Sequence, residues 1–393
     1  MAPFEFLCVP RLVFGCGTSQ RIAELTAPLG NRVMLVSNAG QVGDGGVIDQ
    51  VTALLSAGGI DATLYRQTGE PTVSDVDQAA TLARQSECNV VIGMGGGSAI
   101  DAAKAVAGLL TNGGSPLDYM EVIGQGLPLT KPAAPWIAVP TTAGTGAEVT
   151  KNAVLASPAQ HFKASLRSEH LLARIALIDP ELAIPVRQEI TACSGMDALC
   201  QLIESYTSNR AQPISDALAI KGIELAAGSL ARAFTDGTDL DARQNMAMAA
   251  MLSGITLANV GLGAVHGFAA PMGANLPIPH GAVCAALLPH VVRANIAALQ
   301  AESVEHPCLE RYAEVGRILT GQSELGPAAA RGAAVQFLED LTCRLQIPRL
   351  GTLGLESRQF PDLVALARKA SSMRYNPVIL SEDALTEILT RAC

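Results

Sequence analysis

The chain has 393 residues, 49% of them hydrophobic and 16% charged, with a formal net charge of −9 at neutral pH. This balance is typical of a globular protein with a large core, and it excludes a disordered or fibrous chain. The negative charge, without any basic cluster in the sequence, argues against a nucleic acid as partner. At this length two domains are expected.

Cysteine usage and hydropathy bear on the compartment. Nine cysteines occur at scattered spacings without a CxxC signature, so we expect free thiols in a reducing compartment, the cytoplasm. The first residues show no basic segment followed by an apolar core, so no signal peptide is expected.

Residues 244 to 292 contain no Asp, Glu, Lys or Arg. Polar and helix-breaking residues interrupt this stretch before any apolar run reaches the roughly 18–20 residues of a membrane span. We therefore expect buried helices there and no membrane.

The first half of the chain alternates short apolar segments with amphipathic ones. Its periodicity predicts helices at 22–29, 47–57, 73–86 and 98–110, and strands at 32–36, 61–65, 89–93, 136–139 and 176–180. Such alternation predicts a parallel sheet covered on both faces. After residue 185 apolar residues recur every three or four positions and strand signals nearly vanish. The sequence therefore predicts an α/β nucleotide-binding domain over residues 1–182 and an all-helical domain over residues 183–393.

A glycine run, Gly95-Gly96-Gly97-Ser98, lies between a predicted strand and a predicted helix. Glycines let the backbone approach a diphosphate closely, and a helix N-terminus offers unpaired N–H groups to it. Ser98 is placed to cap the helix, and Asp101 follows on its first turn. A tight turn would need only one glycine, so phosphate binding is favoured. The run follows the third predicted strand, unlike the usual dinucleotide fingerprint, which follows the first.

A threonine-rich loop follows the next predicted strand. It contains Thr141, Thr142 and Thr145 with two glycines, at the carboxyl end of a strand, where open α/β sheets bind ligands. Taken alone, an ordinary hydroxyl-rich loop is an equally good interpretation. Next to the glycine run, a second wall of the same cofactor site is favoured.

Metal-ligating residue types occur in the second half. If a helix begins at Asp197, then Asp197 and Gln201 share one face, and His266 and His280 lie in the charge-free stretch. A carboxylate with two imidazoles suits Fe or Zn, whereas an amide oxygen is a weak fourth ligand. Each of these residues alone is more often structural, Asp197 as a helix cap and His280 as a hydrogen-bonded core histidine. Together, in the charge-free helical half, they favour a common site. We interpret Cys200 as a small buried apolar residue.

These motifs together resemble the iron-containing (group III) alcohol dehydrogenases. The matching segments are residues 95–104, 140–146, 195–199 and 279–281, in that order, and Asn376-Pro377 also fits. The resemblance implies the architecture shared with dehydroquinate synthase, in which an α/β nucleotide domain precedes a helical domain. It also implies a homodimer that transfers hydride reversibly between NAD or NADP and a small alcohol, aldehyde or ketone.

Residue by residue, the resemblance places the cofactor on one set of residues: Asn38, Gly95, Gly96, Gly97, Ser98, Thr141, Thr142, Thr145 and Lys163, and we add Asp101. It places a divalent metal, Fe or Zn, on Asp197, His266 and His280, with Gln201 standing where the family has histidine. His266 and His280 are therefore the predicted catalytic residues, either as metal ligands or as hydrogen-bond donors to the substrate oxygen.

Two further departures from the family keep alternatives open. Ala270 stands where a proton-relaying histidine is usual, so we expect water or another group to relay the proton. Asn38 stands where many NAD-preferring relatives have aspartate, so NADP is not excluded. The alternatives are a metal-independent reductase like the maleylacetate reductases, a nucleotide-binding relative without activity, and a polyol dehydrogenase or dehydroquinate-synthase-like lyase.

Overall fold

The computed structural model describes residues 3–38, 46–160, 162–276 and 278–393. The chain divides into two compact units. The first, called the α/β unit below, comprises Cys8–Thr142 and Gly146–Pro185, and the second, called the helical unit, comprises Met1–Leu7, Ala143–Thr145 and Val186–Cys393. The sequence placed the boundary after residue 182. The helical unit also includes three residues of the threonine-rich loop, which no sequence pattern indicated.

The α/β unit contains a six-stranded parallel sheet in the order β1-β8-β5-β4-β2-β3. Its strands are β1 Leu12–Phe14, β2 Arg32–Asn38, β3 Asp61–Gln67, β4 Val90–Gly95, β5 Trp136–Pro140 and β8 Ile175–Ile178. The central strands are continuous apolar runs because both faces of a parallel sheet are covered. Each predicted strand is present.

The helices of the α/β unit are α1 Ile22–Thr26, α2 Val47–Ala57, α3 Val73–Gln85, α4 Gly97–Asn112 and the short α5 Pro116–Tyr119. The sequence did not predict an antiparallel hairpin formed by β6 Asn152–Ser157 and β7 Phe162–Arg167. Its strands, NAVLAS and FKASLR, are rich in alanine and serine, which have weak strand propensity. Only the alternating burial of β6 shows that it lies with one face inward.

The helical unit confirms the predicted all-helical second half. Its helices are α6 Gln188–Thr207, α7 Pro213–Thr235, α8 Leu240–Val260, α9 Ala264–Asn275, α10 His280–Glu302, α11 Pro307–Thr320, α12 Pro327–Arg344, α13 Phe360–Lys369 and α14 Glu382–Ala392.

The expectation that a helix begins at Asp197 is wrong, because α6 begins nine residues earlier, at Gln188. Ser194 and Gly195, which precede Asp197, both lie within α6. The Ser194 hydroxyl donates to the Ile190 carbonyl at 2.7 Å, a bond that lets serine sit inside a helix. Asp197 is therefore a mid-helix residue rather than a cap.

The charge-free stretch forms α8, α9 and the first half of α10, and its apolar residues are buried. Within the described ranges, α10 has the length and hydropathy of a membrane span, and the bent pair of α8 and α9 passes the same test jointly. In the most apolar window of α10, 72% of residues are buried inside the protein, as is typical of a core helix. The histidines of this stretch thus lie beside a closely packed apolar interior.

Candidate active site

Three polar residues on one face of α6 are almost completely buried. Asp197, Gln201 and Glu204 expose 1%, 3% and 5% of their surfaces, and their i, i+4, i+7 spacing aligns them. Buried polar groups need partners, because an unpaired one costs several kcal/mol. Their partners come from α9, α10 and α8 of the same unit.

The two oxygens of the Asp197 carboxylate have different partners. Its Oδ1 atom lies 3.2 Å from His266 Nε2 and 3.7 Å from His280 Nε2. Its Oδ2 atom accepts a hydrogen bond from Gln201 Nε2 at 3.1 Å. Gln201 thus fixes the plane of the carboxylate while Oδ1 faces both imidazoles.

His266, near the start of α9, is held by a second carboxylate. Its Nδ1 lies 2.6 Å from Glu204 Oε2, and Glu204 Oε1 accepts the Val265 N–H at 2.7 Å. A neutral imidazole has one N–H, so donating Nδ1–H to Glu204 leaves the Nε2 lone pair facing Asp197. Metal-binding histidines are characteristically oriented in this way by a carboxylate.

His280 and Cys284 share one face of α10, which begins at His280. The Cys284 Sγ atom lies 3.6 Å from His280 Nε2 and 3.7 Å from His266 Nε2. Gly281 makes this possible, because a Cβ there would lie 2.6 Å from the Cys193 carbonyl oxygen on α6. Only glycine lets the start of α10 approach α6 so closely.

The structure therefore brings the three predicted ligands, Asp197, His266 and His280, to one point, and adds Cys284. One ligand atom from each of the four lies within 4.8 Å of all the others. A cluster of carboxylate, imidazole and thiol is a chemically suitable site for a divalent transition metal. Sequence reasoning missed Cys284, and its only signal was the i+4 spacing from His280.

Gln201 is placed differently from the expected ligand position. Its amide nitrogen donates to Asp197, and its amide oxygen accepts from the Ser253 hydroxyl on α8 at 2.9 Å. The amide oxygen, which would be the metal-binding atom, is thus used by Ser253. Ala270, four residues after His266 on α9, is exposed and carries no proton-relaying group.

Electrostatics within the cluster favour an ionised Asp197. Burial alone would raise the pKa of this carboxyl, but the His266 hydrogen bond and the charge of His280 outweigh it, so the pKa is lowered. Burial raises the pKa of the Cys284 thiol well above its ordinary value. A coordinated metal nevertheless deprotonates a thiol outright.

The glycine run lies in the α/β unit, where β4 ends and α4 begins. Gly95 has φ of 155°, and a Cβ there would lie 2.2 Å from the Asn38 amide oxygen, so this position requires glycine. The N-cap is Gly96, and Asn38 Oδ1 accepts the Gly96 N–H at 2.9 Å. The expectation that Ser98 caps the helix is wrong, since the chain enters α4 at Gly97. Asn38 supports the loop from the end of β2.

The other predicted cofactor residues of the α/β unit fall into two groups, those beside the glycine run and those that bond elsewhere. Thr141 is buried and donates its N–H to the Gly95 carbonyl at 2.9 Å, and Thr142 lies next to Gly96. Asp101 accepts the Val154 N–H at 3.1 Å. Lys163, on β7, forms an ion pair with Glu70. The structure thus gathers the glycine run, Asn38, Thr141 and Thr142, while Asp101 and Lys163 bond to the β6–β7 hairpin and to Glu70.

Part of the threonine-rich loop belongs to the helical unit. Gly144 lies against Ser194 of α6, and its carbonyl oxygen lies 3.4 Å from the Ser253 hydroxyl oxygen. Thr145 follows and is exposed. Ser253, the residue that holds Gln201, therefore also contacts this loop.

Comparison with known proteins agrees with the sequence motifs. A family model described as iron-containing alcohol dehydrogenase matches residues 10–180, and a model of the C-terminal part of the Fe-containing alcohol dehydrogenase family matches residues 191–393. Choline dehydrogenase of Bacillus subtilis (strain 168) is 34% identical over 395 residues, which cover 100% of this chain and 96% of the relative.

Two further similar proteins span most or all of the chain. Long-chain-alcohol dehydrogenase 1 of Geobacillus thermodenitrificans (strain NG80-2) is 35% identical, over 89% of this chain and 88% of its own. The crystal structure of a 1,3-propanediol oxidoreductase superposes with a TM-score of 0.93 at 30% identity, covering 100% of both chains. The chain therefore belongs to the iron-containing alcohol dehydrogenase family and is an alcohol dehydrogenase-like oxidoreductase.

Proposed function

We propose that this enzyme interconverts a small alcohol and its aldehyde or ketone, using NAD or NADP and a divalent metal held by Asp197, His266 and His280. The observation that supports the metal is the convergence of Asp197 Oδ1 with the two imidazole Nε2 atoms, at 3.2 and 3.7 Å. Each of these atoms offers a lone pair, as a metal requires.

The metal and the nicotinamide would have separate tasks. A divalent metal at this site acts as a Lewis acid on the substrate oxygen, and the nicotinamide exchanges hydride with the substrate carbon. Asp197 supplies the negative charge, and Glu204 holds His266 in the tautomer whose Nε2 faces the metal. Because Ala270 has only a methyl group, we propose that water supplies and accepts the proton.

The cofactor is proposed to bind at the glycine run, with its diphosphate near Gly96, Gly97 and Ser98 at the N-terminus of α4. Thr142 lies next to Gly96 and is a candidate for a further contact. Asn38 is uncharged and bonded to Gly96, so it does not repel a 2′-phosphate as an aspartate would. Both NAD and NADP are therefore candidates.

The apolar residues near the proposed metal site do not define a substrate. Met251, Leu252, Ile255 and Leu262 are 4–6% exposed, and Phe268 and Met272 are fully buried, so they form core. The relatives act, by their names, on choline and long-chain alcohols. We propose a small-molecule substrate, a homodimer and a cytoplasmic location, as in the sequence-based expectation.

The test is metal analysis combined with a cofactor and substrate screen. Protein purified without chelators should contain about one divalent metal per chain, and chelator should abolish activity that added Zn²⁺ or Fe²⁺ restores. Choline, 1,3-propanediol and long-chain alcohols, each with NAD⁺ and NADP⁺, form the first screen. Chelator-resistant activity without stoichiometric metal would contradict this proposal and favour the metal-independent reductase.

A further inference from the structure

The position where the family has its fourth metal-binding histidine is occupied by Gln201. The contacts of Gln201 account for both ends of its amide: the nitrogen donates to Asp197 at 3.1 Å and the oxygen accepts from Ser253 at 2.9 Å. An amide held in this way orients the carboxylate of Asp197. The fourth ligand must then come from elsewhere or be absent.

Cys284 approaches the same point from the opposite side. It is fully buried on α10, and its sulfur is within 3.7 Å of both Nε2 atoms that face Asp197. Buried cysteines are common in apolar cores, but this sulfur contacts two imidazoles instead of apolar side chains alone. The Cys284 sulfur therefore has the neighbours expected of a metal ligand.

Four of the six distances between the proposed ligand atoms are close to those of a tetrahedral centre. With metal–nitrogen and metal–oxygen bonds of about 2.0–2.1 Å and a metal–sulfur bond of about 2.3 Å, tetrahedral ligand pairs lie about 3.3 Å apart for O–N and about 3.6 Å apart for S–N. The corresponding separations here are 3.2 and 3.7 Å for Asp197 Oδ1 to the two Nε2 atoms. They are 3.6 and 3.7 Å for sulfur to nitrogen.

We propose that the thiolate of Cys284 is the fourth metal ligand, completing a set with Asp197, His266 and His280, and that Gln201 is a positioning residue for Asp197. This rests on the proposed function, since it assumes a metal at this site. As the sulfur–metal bond forms, the thiol proton passes to solvent. Catalytic zinc can expand to five ligands, and in that state four protein ligands leave one position for a substrate.

The proposed set also predicts which metal is preferred. Thiolate is a soft ligand that favours Zn²⁺, and the stability order of divalent metals places Fe²⁺ below Zn²⁺ at such sites. The side chain of His280 is 41% exposed, which gives the ion access from solvent. We therefore expect this chain to bind Zn²⁺ more tightly than Fe²⁺, despite the family's name.

X-ray absorption of the zinc-loaded protein is the direct test, because it needs no variant. The expected first shell is one sulfur at about 2.3 Å and three nitrogen or oxygen atoms at about 2.0–2.2 Å. In the cobalt-loaded protein we expect a thiolate-to-cobalt charge-transfer band in the near ultraviolet. Cys284→Ser should lose this band and bind Zn²⁺ at least about tenfold more weakly, the minimum cost of an outer-shell change, in competition with a chromophoric chelator.

Cys200→Ser is the matched control. Cys200 is also buried, but its sulfur lies 3.9 Å from His266 Nδ1, the nitrogen that faces Glu204. Its thiol shares a hydrogen bond with Cys284, which a serine hydroxyl can keep, so Cys200→Ser should leave the band and the affinity nearly unchanged. A zinc shell without sulfur, or a band that Cys200→Ser removes and Cys284→Ser retains, would overturn the assignment of Cys284 while leaving a metal at the site. If neither Zn²⁺ nor Co²⁺ binds the wild-type protein, the proposed metal-dependent function fails as well.

Discussion

Both units bury a charged cluster, but the two clusters are stabilised in opposite ways. In the α/β unit, the fully buried Lys104 ammonium donates to the Ala147 carbonyl, the Thr150 hydroxyl and the Asn152 carbonyl at 2.7–2.9 Å. Asp101 lies 3.5 Å from it. In the helical unit, the atoms that converge are lone-pair donors from a carboxylate, two imidazoles and a thiol.

The two clusters differ in role: the Lys104 cluster is structural, whereas the cluster of the helical unit has the donor atoms of a metal site. An ammonium has three donors, and all three of those of Lys104 are matched by acceptors of the chain. The Lys104 cluster joins α4 to the loop and hairpin that follow β5. Converging lone pairs, in contrast, need a proton or a metal ion between them to offset their repulsion. We therefore expect damage to the first cluster to reduce stability and damage to the second to reduce metal binding.

The largest effect is expected for Lys104→Met. It leaves the Asp101 carboxylate and two carbonyl groups without their buried partner, so the free energy of unfolding should fall by about 3–5 kcal/mol. Urea denaturation measures this, and the metal content of the folded variant should be unchanged. The double variant D101N/K104M should lose less than the sum of the single changes, because the two residues interact. Strictly additive losses would contradict the pairing.

The next effect concerns Glu148, in the same loop. Burial raises the pKa of its carboxyl from 4.5 to about 7. A raised pKa means that the folded state binds the proton more tightly, so stability is highest below about pH 4.5 and falls as pH rises toward 7. The fall attributable to Glu148 is about 3 kcal/mol. Glu148→Gln should remove this part of the pH dependence, as shown by subtracting its unfolding free energies from those of the wild type. If the unfolding free energies of the wild type and the variant followed parallel pH profiles, Glu148 would not contribute to the pH dependence of stability.

The smallest effect is expected for Glu204→Gln in the helical unit. A glutamine amide can donate to His266 Nδ1, which favours the tautomer whose Nε2 carries the proton and cannot bind a metal. Zinc affinity should fall about 10–100-fold without a comparable loss of stability. Glu224→Gln serves as control, since Glu224 is an exposed residue of α7 that pairs with Lys221. Equal affinities for Glu204→Gln and the control would show that the histidine needs no orienting carboxylate.

The sequence predicted the outlines of both units because their signals are strong. Buried parallel strands are apolar runs, and histidines in a charge-free helical stretch indicate a polar site inside a core. The contribution of Cys284 was not predictable, since buried cysteine is ordinary and its register with His280 depends on where α10 begins. For Gln201, the sequence supplied a residue type but not the direction of its amide, which Ser253 sets from another helix.

Contacts between distant segments were equally beyond sequence reasoning. Asn38 is the last residue of β2 and was interpreted as a determinant of cofactor choice, yet its amide bonds to Gly96, 58 residues later. Asp197 was expected to begin a helix, yet α6 begins nine residues earlier, at Gln188. The Ser194 hydroxyl, three residues before Asp197, bonds to the Ile190 carbonyl within that helix.

The two oxygens of Glu204 couple the orientation of the His266 ring to the backbone at the start of α9. One oxygen bonds to the imidazole of His266 and the other to the peptide N–H immediately before it, at 2.6 and 2.7 Å. Because both bonds share one rigid carboxylate, His266 cannot rotate about its side-chain torsions without disturbing the first turn of α9. A residue one methylene shorter would be unable to reach both groups, so imidazole mobility and fraying of that turn should appear together.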